Sequence, residues 1–109
     1  MLDEQKGSAL LKRHFESAGY QIAENHPYEV AGRIIRLDGF DPARRVGYEF
    51  LTSAAGDRAE LSADVVAALE EQAESGQAFV LLVDEVDAPD EADLELAARR
   101  FLEEVGKRR

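Results

Sequence analysis

Three carboxylates share the stretch Leu37 to Thr52, LDGFDPARRVGYEFLT: Asp38, Asp41 and Glu49. Carboxylates carried on neighbouring strands can converge on a hard divalent cation, with oxygens about 2.0–2.1 Å from Mg²⁺. A cation held that way activates water and polarises a phosphoryl oxygen. Asp38 and Glu49 are therefore the candidate metal ligands. The same residues have simpler uses. Asp-Gly and Asp-Pro are common turn chemistry, and a strand glutamate such as Glu49 is satisfied by solvent or by Arg33 or Arg36 across a hairpin.

Other chemistry is sparse. Arg33, Arg36, Arg44 and Arg45 are the candidate binding residues: their guanidinium groups suit phosphate or an acidic partner, or else pair with the many acids around them. The seven acids from Asp84 to Glu95 lack the alternating ligands and central glycine of a calcium loop, and Asp90, Glu91 and Asp93 suit a helix N-terminus instead. His14 and His26 have no second histidine or cysteine at ligand spacing, so no zinc site is indicated. A Ser-His-acid signature, a nucleophile elbow and a phosphate-cradling glycine loop are all missing. Cysteine is absent, which removes disulfides and thiolate metal sites.

The elements that must position these groups follow from periodicity. From about Gln5 to Ala18, Leu11, Phe15 and Ala18 recur at helical spacing, and Gly19 supplies a stop. A short strand is expected at Tyr20 to Ala23, a turn at Glu24 to Pro27, and a strand from Tyr28 to Leu37. That strand is either covered on both faces or switched by a bulge near Gly32, because its apolar residues occupy both parities. Asp41-Pro42 turns the chain into a second arm, Val46 to Thr52, with Val46, Tyr48 and Phe50 on one face and Gly47, Glu49 and Leu51 on the other. A loop rich in Ser, Ala, Gly and Asp leads to Ser62, which caps a helix ending at Gly76. The unalternating apolar run Ala78 to Val83 is expected as a central strand. Pro89 and Asp90 open a last helix, with Gly106 as its stop. The order α-β-β-β-α-β-α makes an α/β (α+β) fold: a single mixed, mostly antiparallel sheet of three to four strands with helices packed on it. Residues 1 to 4 and 107 to 109 read as mobile tails.

With 109 residues and 45% apolar content the chain has the size and the means for one core, so a single domain spanning 1–109 is expected. The formal charge of −10 disfavours binding to polyanions such as nucleic acid. The first residues, MLDEQKGSALLKRHF, carry neither a basic leader nor an uninterrupted apolar region, and no apolar run approaches the ~20 residues of a membrane span. A soluble, cytoplasmic protein with no membrane association is the expectation.

On these elements the chain resembles the PD-(D/E)XK, or restriction-endonuclease-like, superfamily, whose core runs helix, three strands, helix, strand; the resemblance covers about Gln5 to Asp84. It implies a divalent metal bound by an Asp at the end of one strand, here Asp38 or Asp41, and by an acid on the next, here Glu49, with Glu16 as a helper. It also implies a lysine two residues beyond the second acid. That position is Leu51, and an aliphatic side chain can neither orient water nor offset charge in a transition state. A migrated replacement would have to be Lys12, Arg33 or Arg36. The reading that follows is a catalytically inactive, nuclease-like interaction or regulatory module with an unidentified protein partner and no cofactor. One alternative is a divalent-metal-dependent nuclease with a rearranged active site, using Mg²⁺; another is an unrelated small α/β protein-binding domain. Oligomeric state and strand order are open at this level.

Overall fold

The computed structural model describes residues 2–52 and 61–109; the Ser- and Gly-rich loop expected before Ser62 falls largely outside them. Helix α1, Glu4–Ser17, begins where the Asp3 carboxylate accepts the Lys6 N–H, and it buries Leu10, Leu11 and Phe15 along one stripe. Gly19, at φ +98°, follows its end. Four strands come next in space: β1 (Ala23–Val30), β2 (Arg33–Asp41), β3 (Val46–Leu51) and, after helix α2 (Ala63–Ser75), β4 (Phe79–Asp84). Helix α3, Glu91–Arg108, closes the chain. The α+β architecture expected from the order of elements is therefore present.

The sheet order is β1-β2-β3-β4. The first two junctions are antiparallel, and β3 pairs with β4 in parallel across the α2 connection. Each face has its own core. Val46, Tyr48 and Phe50 pack with Leu10, Leu11 and Phe15 of α1 and Leu94, Ala98 and Val105 of α3. On the other face Tyr28, Val30, Ile35, Leu37 and Phe40 pack with Val65 and Leu69 of α2. The parity read for β3 is the one the structure uses.

Several expectations are corrected. Tyr28 to Leu37 is not one strand, because Ala31 and Gly32, both at positive φ (53° and 73°), form a two-residue hairpin turn between β1 and β2. The supposed turn at Glu24 to Pro27 lies within β1, where Pro27 is tolerated because the strand is an edge and needs no ladder donor on its outer side. The apolar run of β4 is an edge strand rather than a central one. It lacks alternation because helices cover both its faces, and face burial says nothing about how many neighbours a strand has. Helix α3 continues through Gly106 to Arg108, its last turn being held by Arg108 on the Ala73 carbonyl and by stacking of Arg109 on the Phe79 ring. Leu2, expected in a mobile tail, is buried in the core beside α1.

Candidate functional site

The β2–β3 hairpin places the sequence-predicted acids. Its turn is organised by Asp41, whose Oδ1 accepts the N–H groups of Ala43 and Arg44 at 3.0 and 3.1 Å, while Oδ2 accepts the Gln21 N–H at 2.9 Å. Burial pushes the pKa of Asp41 up, but these three backbone donors and the Arg44 charge together outweigh it and hold the carboxyl below its ordinary value. A depressed folded-state pKa gives stability that is full above the unfolded value, about 3.9, and lost as pH falls through the folded one. Asp41→Asn is thus expected to be less stable than the parent at neutral pH, with the gap closing in acid. Urea unfolding at both pH values checks this, and a gap independent of pH would refute it.

Toward the middle of the strands the hairpin changes character. The regular ladder runs from Asp41↔Val46 to Gly39↔Tyr48. Leu37 and Phe40 both join the α2-side core, so two residues, Asp38 and Gly39, separate side chains on the same face where strict alternation allows one. Beyond the last ladder pair, side chains take over the bonding. The Asp38 N–H donates to Glu49 Oε1 at 3.0 Å, and the Phe50 N–H donates to Asp38 Oδ2 at 2.8 Å. Each acid satisfies a backbone donor on the opposite strand. Both are buried, Asp38 at 8% and Glu49 at 1% exposure.

Asp38 also lines a cleft of about 520 Å³ between α1 and β1, together with Glu4, Gln5, Ser8, Ala9, Glu24 and Asn25. Glu49 is not in its described lining, having the parity of Gly47 and Leu51 rather than that of Tyr48 and Phe50. The Tyr48 hydroxyl is buried without a hydrogen-bond partner among the described residues. Its pKa is driven up by burial and by the charges of Glu24, Asp38 and Glu16. Glu16, the proposed helper, lines a different cleft with Asp41, Tyr20 and Gln21. The structure thus brings Asp38 and Glu49 together through main-chain bonds and sets Glu16 beside Asp41.

Reading the sequence missed Glu4 and Glu24. Glu24 pairs with Gly39 in the β1–β2 register, next to Asp38; the signal that could have found it was the Ala31-Gly32 turn, which folds β1 back onto β2. Lys12 ends 3.2 Å from Glu24 Oε2, on the edge of the Asp38 cleft. Leu51, at the position where the resemblance implies a lysine, is half-buried and pairs with Asp84.

The four arginines do not form one patch. Arg33 and Arg44 lie at opposite ends of β2, roughly 25 Å apart for a nine-residue strand. Arg36 donates to the Asn25 carbonyl, Arg44 lies over Tyr20, and Arg45 stacks on Tyr28 and Phe40 while donating to the Gln77 carbonyl. The acids of the β4–α3 connection behave as expected of a helix start, with Asp90 Oδ1 accepting the Asp93 N–H at 2.9 Å. His14 sits 3.8 Å from Glu95 across the α1–α3 contact.

A divalent cation of the Mg²⁺ or Ca²⁺ type needs about six oxygen ligands. Among the described residues no three of His, Cys, Asp and Glu are grouped to hold one, and one oxygen of both Asp38 and Glu49 is already engaged by a backbone donor. The donor set therefore fits a resident metal poorly. No described helix is long and apolar enough to cross a membrane. Compared with family models, with curated proteins and with solved structures, the chain matches none.

Proposed function

We propose that the chain is a non-catalytic interaction or regulatory module built on a nuclease-like layout. The observation that carries this reading is the use made of the two acids. Asp38 and Glu49 occupy the positions at which the resemblance implies metal ligands, yet they bridge β2 and β3 by accepting each other's neighbouring N–H groups. The element order and the parallel β3–β4 pair fit the helix, three strands, helix, strand core of that superfamily. The lysine position is aliphatic, so nothing there activates water or offsets phosphoryl charge. No cofactor belongs to this reading, and its partner is a protein with acidic side chains that meets the exposed guanidinium groups of Arg33 and Arg44.

A second reading, a metal-dependent nuclease with a rearranged site, is favoured by one contact: Lys12 reaches Glu24, and Glu24 and Asp38 line the same cleft. Titration with Mn²⁺ while observing amide resonances separates the two. The interaction module predicts that the Asp38, Glu49 and Glu24 signals stay in place at millimolar metal. Selective broadening at Asp38 and Glu24, abolished by Asp38→Asn, would reject it in favour of the nuclease.

A further inference from the structure

The sheet order leaves two edges, and they differ sharply in their chemistry. The outer strand β1 is guarded: it carries Glu24, Pro27 and Glu29, and Asn25 breaks its line at φ +50°. Charges, proline and local distortion are the devices that keep an edge from pairing with another chain. The other outer strand, β4, has none of them from Phe79 to Val83, FVLLV.

The phase of its hydrogen bonds is fixed at both ends. Phe79 N–H donates to the Arg45 carbonyl and Glu85 N–H to the Leu51 carbonyl, each at 2.9 Å. Main-chain groups alternate along a strand, so the odd-numbered residues face β3 and the N–H and C=O groups of Val80 and Leu82 face outward. No described residue pairs with that side. The flanking side chains Val80, Leu81 and Leu82 are only half-buried.

We infer that this edge is a homodimerisation surface on which a second copy of the chain adds its own β4 antiparallel, centred near Leu81, so that Val80 of one copy faces Leu82 of the other. Charge selects both the partner and the direction. Basic groups collect at the start of β4: Arg45 bonds the Gln77 carbonyl, Arg108 the Ala73 carbonyl, and the Arg109 guanidinium lies 4.8 Å from the Phe79 ring centroid. Acidic groups lie at its end, Asp84, and just beyond it, Glu85 and Asp87. A two-fold antiparallel pairing sets each basic end against an acidic end, twice by symmetry, whereas a parallel pairing would set like against like. The pairing stands whether or not the fold is nuclease-like.

Sedimentation velocity on the full chain, from low micromolar to millimolar concentration, tests it. The parent is expected to pass from monomer to dimer over that range. Leu82→Pro deletes an outward N–H and Leu82→Lys puts a charge beside the edge, each also giving up the contact of Leu82 with the α2-side core. Each is expected to weaken association at least about tenfold with far-UV circular dichroism unchanged. Arg109→Glu, at the exposed end of α3, weakens it in the same direction without changing a residue of the strand, although it gives up the stacking on Phe79. A parent that stays monomeric throughout would overturn the inference and leave the edge to a strand of another protein. A dimer of undiminished strength in the variants that fold would overturn it equally, by placing the interface elsewhere.

Discussion

Replacing Glu49 by alanine is expected to lower the free energy of unfolding by about 1–3 kcal/mol for the stranded donor, with a further loss from the cavity. Glu49 is essentially solvent-free and accepts the N–H of Asp38, so truncation leaves that donor buried without a partner where the regular β2–β3 ladder has already ended. Glu49→Gln keeps an acceptor of the same reach and shape. Its loss is expected to be about 1 kcal/mol or less, since the bond survives without its charge. Urea denaturation of the two variants gives the comparison directly. Equal losses in both would mean that the negative charge, rather than the acceptor, is what the fold uses. That outcome would reopen the case for a cation at Asp38 and Glu49.

Gly47→Ala is expected to be more damaging still. A Cβ at Gly47 would run into the Gly39 carbonyl oxygen and lie 2.7 Å from Cδ1 of Phe40 and 3.0 Å from its Cα. Two of these neighbours are backbone, so relief requires β2 and β3 to move apart beside the acids that tie them together. Overpacking of this kind costs about 1–3 kcal/mol when side chains can yield, and a backbone obstacle puts Gly47→Ala at or above the upper end. In a domain of this size that is a fall in Tm of roughly 12 °C or more. Gly106→Ala is the control: no atom of a neighbouring described residue lies within 4 Å of the added methyl in α3, and helix propensity favours alanine by about 1 kcal/mol. A thermal midpoint for Gly47→Ala within a few degrees of the parent would mean that the strands are not in close register at Gly39 and Phe40.

The acids and the glycines belong to one device. Gly39 and Gly47 let β2 and β3 approach closely, with Tyr48 lying across Gly39, and the two carboxylates bridge the strands where that ladder stops. Sequence reasoning singled out Asp38 and Glu49 because acids on neighbouring strands can converge on a divalent cation, which is one reason for two such carboxylates to be held together. Backbone satisfaction is another reason. It was illegible beforehand because it depends on where the β2–β3 ladder stops, and that point is set by packing on two faces at once.

Local patterning determined the helices, the β2–β3 hairpin and the facing of β3, because three- and four-residue spacing, Asp-Pro turn chemistry and strict alternation act between near neighbours in the chain. It could not determine that Ala31-Gly32 folds β1 onto β2, since the same residues also read as a bulge in one long strand. Nor could it place β4 at the edge, because an apolar run records helices above and below it and not strands beside it. The tertiary structure decided those points, and with them the company Asp38 keeps: Glu24 from the neighbouring strand, Glu4 from a helix and Lys12 at the rim, none of them near it in sequence. Strand order and cleft lining are sums over long-range contacts, and no window of adjacent residues contains them.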